Sequence, residues 1–182
     1  MVESASQSSR SEGLGRRRGA VLVVAIVLAV AACTAEAGPE DGESSQPFDC
    51  AGAIDHLAEP PADWNVAADV IALPADDVLT RGRFDDGLGR WFTKFGLIVR
   101  AERAFVLRVA AADRANAVMG WGAGSDPPVP SLTFDGCPSE TGEPWIVWAG
   151  GVWTEEPACT TLEVVADGVS IEARLPVGIA CP

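Results

Sequence analysis

Residues 159–175 read CTTLEVVADGVSIEARL, two runs of alternating apolar and polar residues joined by Asp167 and Gly168. Asp-Gly is the pair a two-residue type I′ turn prefers, because both central positions take positive φ. That turn fixes the register of an antiparallel hairpin. Val164 falls opposite Ile171 and Leu162 opposite Ala173 on an inward face, while Glu163 meets Glu172 outside, where diagonal Arg174 is placed to relieve the repulsion.

The same pattern extends upstream. Phe105, Leu107 and Val109 share one face of a strand over 103–110, with Ala104, Val106 and Arg108 on the other. Segments 64–73, 90–100, 115–122, 131–134 and 145–153 are also short, rich in Val, Ile, Thr, Phe and Trp, and bounded by Gly, Pro, Asp and Ser. Only AGAIDHLAE, 51–59, has spacing for two turns of helix, stopped by Pro60 and Pro61. With 159–165 and 169–175 this makes about eight strands and no 12-residue helical pattern, the signature of an all-β antiparallel sandwich. The run WIVWAGGVW, 145–153, does not alternate: Trp145 and Val147 take one face, Ile146 and Trp148 the other. Such a strand is either central in the sandwich or exposes a tryptophan face for binding. Gly150 and Gly151 then mark a bulge or bend.

Before the β domain lies a targeting segment. Arg16, Arg17 and Arg18 precede an apolar run of 13 residues from Ala20 to Ala32. At about 1.5 Å per residue it covers roughly 20 Å, short of a hydrocarbon core about 30 Å thick. Positive charge, a short apolar stretch and small residues describe a signal peptide over 1–32 rather than an uncleaved anchor helix. Val30, Ala31, Ala32 and Cys33 match the bacterial lipobox, in which Cys33 is acylated and becomes the new N-terminus. Two or more acyl chains give stable anchoring in the membrane. Residues 33–47 then form an acidic tether without a large apolar residue, and 48–182 form the β domain.

Acylating Cys33 leaves Cys50, Cys137, Cys159 and Cys181, an even number in an oxidising compartment and hence two disulfides. Three pairings are open; Cys159 with Cys181 would close the last hairpin, and Cys50 with Cys137 would pin the first ordered residues to the core. Without a CxxC, and with one histidine in the chain, no metal site and no cofactor is indicated. Once 1–32 is removed, 24 acids stand against nine bases, a formal charge of about −15, which disfavours nucleic acid as a partner.

The run RWFTKFGLIVRAERAFVLRV at 90–109, GWG at 120–122, Gly136-Cys137, WIVWAGGVW, PAC ending at 159 and VGIAC ending at 181 resemble a group of uncharacterised actinobacterial secreted proteins and lipoproteins. The resemblance covers about 64–182. It implies an envelope location and a compact disulfide-bonded β domain, and it assigns no activity.

Candidate sites are few. Asp55-His56 invites a hydrolase triad, yet there is no GxSxG elbow, and Ser125, Ser131, Ser139 and Ser170 lack a local signature; a surface histidine is the commoner reading. Paired carboxylates, Asp85 with Asp86 and Glu155 with Glu156, suit glycoside hydrolysis but also ordinary turns. The six tryptophans are the better hint, since an aromatic plane stacks on sugars or partner proteins. Trp145, Trp148 and Trp153 are the candidates for ligand contact, against the commoner core reading. The loops GAGSDPPVP, 122–130, and FDGCPSETGEP, 134–144, have binding-loop composition. The expectation is therefore a lipid-anchored extracytoplasmic envelope protein, a noncatalytic binding or structural module for a protein or wall glycan. The alternative is a small envelope-polymer hydrolase using paired carboxylates.

Overall fold

The computed structural model describes residues 45–75, 77–82, 89–124 and 126–182. The signal segment, Cys33, most of the tether, Asp85, Asp86 and Ser125 lie outside the described residues. In chain order the strands begin with β1 (Gln46–Pro47), β2 (Asp55–Leu57), β3 (Trp64–Ala67), β4 (Ile71–Pro74) and β5 (Arg81–Gly82). There follow β6 (Trp91–Lys94), β7 (Leu97–Arg100), β8 (Ala104–Val109), β9 (Ala117–Trp121) and β10 (Ser131–Asp135). The last four are β11 (Trp145–Trp148), β12 (Gly150–Thr154), β13 (Ala158–Ala166) and β14 (Val169–Val177). They form three sheets, in the orders β1-β10-β8-β13-β14, β2-β11-β7-β4-β3 and β5-β6-β12-β9. Every pairing is antiparallel except β1 with β10. The domain is an all-β, sandwich-like fold.

The inward residues of all three sheets meet in one core. Leu107, Leu162, Val164 and Leu175 of the first sheet share it with Ile71, Leu97 and Ile146 of the second and Met119, Trp121 and Val152 of the third. The hairpin at the end of the chain has the register its turn dictates: Leu162 faces Ala173, Val164 faces Ile171, and Asp167 and Gly168 have φ of 50° and 77°. Two details differ. Leu162 and Val164 are fully buried while Ile171 is exposed, because β14 overhangs the core until Leu175. Glu163 is neutralised by Arg108, whose Nε donates to its Oε2 at 2.6 Å, and Arg174 turns instead to the carbonyl of Pro182 at 2.9 Å.

Two expected strands are each two. Segment 64–73 is the hairpin β3–β4, turning on Ala68 and Asp69 at φ 50° and 54° with the Val70 amide donating to the Ala67 carbonyl. No Gly, Asn or Pro flags that turn, so the residues read as continuous. Segment 90–100 is β6 and β7, which belong to different sheets. Its partner 145–153 splits the same way into β12 and β11, so a single antiparallel ribbon bends and serves two sheets. The bend is pinned by the Phe95 amide donating to the Gly150 carbonyl at 3.0 Å and by the Trp121 indole N–H donating to the Phe95 carbonyl at 3.0 Å. Gly151 lies where a Cβ would overlap the Thr93 carbonyl oxygen and sit 2.8 Å from the Phe92 ring.

The helix expected over 51–59 is absent. Its apolar residues do not make a buried stripe, since Ile54 is exposed, and the segment runs as β2 along β11. Nor does the tether reach Pro47: β1 pairs with β10, the Ser45 hydroxyl accepts from Ser131 and Thr133 at 3.0 and 2.7 Å, and Phe48 stacks on Phe134. Two disulfides join Cys50 to Cys137 and Cys159 to Cys181, the pairs favoured from the sequence. Both are consistent with an oxidising, extracytoplasmic compartment.

Candidate functional site

Strand β11 is buried on both faces, which answers the question its composition poses. Ile146 and Trp148 enter the main core, where Trp148 meets Phe48 edge-on at 5.0 Å. Trp145 and Val147 point the other way into a second, smaller cluster with Ala72 and Ile98, roofed by Leu57 and Trp64. The second sheet therefore carries an apolar layer on its outer side, and the chain between β2 and β3 lies over it.

An open groove of about 590 Å³ runs across this outer layer, a volume within the range that small-ligand sites occupy. Pro60, Pro61, Trp64, Pro144 and Trp145 line it, with Glu59, Asp69 and Arg100 as its charged residues. The Arg100 guanidinium lies 4.7 Å from the centre of the Trp145 ring, a cation–π arrangement. Its Nη2 donates to Asp69 Oδ1 at 2.6 Å and its Nε to the Asp69 carbonyl at 3.1 Å. Arg103 continues the chain of charges, 3.8 Å from Asp69 and 2.6 Å from Asp167. Arg100 is held on three sides, so its orientation is set before any ligand arrives, as preorganised recognition requires. Chemically the groove offers an indole plane, flat proline rings, fixed guanidinium donors and two carboxylate acceptors.

The candidates from sequence divide. Trp145 lines the groove with little exposed area; Trp148 is fully buried and withdrawn from any ligand; Trp153 is half-buried beside Phe92 at 4.5 Å on a different sheet. The three do not form one surface. Trp64, Asp69, Arg100 and the two prolines were not singled out, because Pro60-Pro61 reads as a helix stop and Arg100 as a strand end. The available signal was an aromatic residue close behind a proline pair in PPADW. Trp91 is the most exposed tryptophan, and Arg81 lies 5.4 Å over its ring while donating to the Thr154 and Glu155 carbonyls.

Among the described residues the catalytic candidates are not assembled. His56 is half-buried on β2, its Nε2 has no hydrogen-bond partner, and none of the described serines bonds to it. Glu155 and Glu156 sit in the turn between β12 and β13, where Glu155 lies 3.6 Å from Arg90 and the Glu156 amide donates to Asn116 at 2.8 Å. Loop 122–130 folds back, with Val129 and Met119 exchanging both main-chain hydrogen bonds. Loop 134–144 is tied by Cys137 and brings Pro144 to the groove. Comparison of the chain with protein families, with characterised proteins and with solved structures finds no match.

Proposed function

We propose that the chain is a lipid-anchored envelope protein, held through acylated Cys33, whose β domain binds a wall glycan in the groove beside Trp64. The observation that carries this reading is the groove's make-up: apolar planes from Trp64 and the prolines next to the fixed Arg100–Asp69 pair. A sugar ring presents apolar C–H faces to an indole and hydroxyls to carboxylate and guanidinium, which is the division of labour found here. Of the two carboxylates lining the groove, Asp69 is ion-paired with Arg100 and Arg103, which suits a fixed binding contact better than acid–base work in hydrolysis. The lipobox and the two disulfides support the address.

Titrating the protein with soluble wall-glycan fragments while following tryptophan fluorescence tests the reading. Saturable binding is expected, weakened about tenfold or more by Trp64→Ala, the loss of one aromatic anchor. Trp153→Ala, on another sheet, should leave it unchanged. An absent response, or equal losses in both variants, removes the groove as the glycan site, and released reducing ends would favour the hydrolase instead.

A further inference from the structure

The groove beside Trp64 continues at both ends. Trp64 also lines a pocket of about 230 Å³ together with Phe95, Ala75, Asp63 and Asp77. At the other end Arg100 and Pro144 are shared with a pocket of about 290 Å³ that reaches Ser139, Glu102 and Glu143. Strand register sets the three in line. β4 runs antiparallel to β7, with Ile71 opposite Val99, and the Arg100 amide donates to the Val70 carbonyl at 2.8 Å. Pro74, at the far end of β4, pairs with Trp64. The end pockets are therefore separated by the strand from Val70 to Ala75, roughly 17 Å at the rise of an extended chain. One sugar ring covers a small part of that distance, and a chain of several follows it.

The charge along this track is one-sided. Glu59, Asp63, Asp69, Asp77, Glu102 and Glu143 line the three pockets, against the guanidinium of Arg100. Arg100 is matched by Asp69, and among the described residues no Arg or Lys lies within ion-pair distance of the other five acids. An ionised carboxylate accepts hydrogen bonds and donates none, so these acids suit a ligand rich in donors, and their summed field favours a cationic one. A phosphate-bearing or uronate-bearing chain meets repulsion along its whole length. We infer that the groove takes a linear glycan carrying free amino groups, laid parallel to β4 across all three pockets. This rests on the glycan reading above and narrows it to one class. Sugar faces pack on Trp64 and the prolines in the middle, while ammonium groups reach Asp77 beyond Trp64 and Glu143 beyond Arg100.

Calorimetric titration of the detergent-solubilised full chain tests the inference. The probes are glucosamine chains of two and six units, an N-acetylated six-unit chain and a lysine hexamer, which carries the charge without the sugar faces. The six-unit glucosamine chain is expected to bind about tenfold or more tightly than each of the others. Asp77 is exposed and Glu143 half-buried, so Asp77→Asn with Glu143→Gln should leave the fold intact. The double variant should bind the glucosamine chain about tenfold more weakly and the N-acetylated chain within about twofold of wild type. Equal affinity for the N-acetylated chain overturns ammonium recognition, and equal affinity for the two-unit chain overturns the extended track; both leave the glycan reading standing. Equal binding of the lysine hexamer, or no loss in the double variant, assigns the attraction to the overall charge of the domain and overturns the inference. Binding of none of the saccharides overturns both the inference and the reading beneath it.

Discussion

Replacing Gly151 by alanine should destabilise the domain severely. The added Cβ would overlap the carbonyl oxygen of Thr93, a main-chain atom locked in the β6–β12 ladder, with the Phe92 ring 2.8 Å away. Neither neighbour is a flexible side-chain end, so relief requires parting the two strands where the ribbon bends between sheets. Overpacking that moves backbone costs about 3 kcal/mol or more, a large share of a small domain's stability. Gly82→Ala is the contrasting case. Among the described residues its Cβ would meet only the Phe92 carbonyl at 3.5 Å, so a change within about 1 kcal/mol is expected. Urea unfolding followed by tryptophan fluorescence compares the two, and a Gly151→Ala midpoint close to wild type would show that the bend can open without loss.

The second large effect lies in the disulfides. Cys50–Cys137 closes 87 residues of chain and Cys159–Cys181 closes 22. Loop-closure entropy in the unfolded chain assigns them about 4.5 and 3.4 kcal/mol. Cys50→Ala/Cys137→Ala should therefore lower stability by about 1 kcal/mol more than Cys159→Ala/Cys181→Ala. The longer link also fastens the strands preceding β3 to the loop that carries Pro144, so its loss should loosen the groove as well as the fold. Unfolding free energies in the opposite order would contradict this accounting.

Much of the architecture was legible because its determinants are local. Asp167-Gly168 specified a turn, the turn a register, and strict alternation at 104–109 an inward face. The sites of misreading share a cause. The turn on Ala68 and Asp69 and the change of sheet at Gly96 are each marked by a single turn-type residue, Asp69 or Gly96, inside a run that otherwise reads as strand. The candidate groove was harder to see. Trp64, Arg100 and Pro144 come from three separate segments, and only the second layer outside β11 brings them together. Tryptophan content pointed to aromatic residues, of which Trp145 lines the candidate groove; burial takes Trp148 into the core, while Trp64, at a strand start, lines the groove without having been singled out.

Intact-mass analysis of the protein isolated from membranes tests the envelope assignment most directly. The predicted result is a chain beginning at acylated Cys33 with all four remaining cysteines oxidised in two pairs. A chain that retains Met1 and carries free thiols at Cys50, Cys137, Cys159 and Cys181 would contradict it.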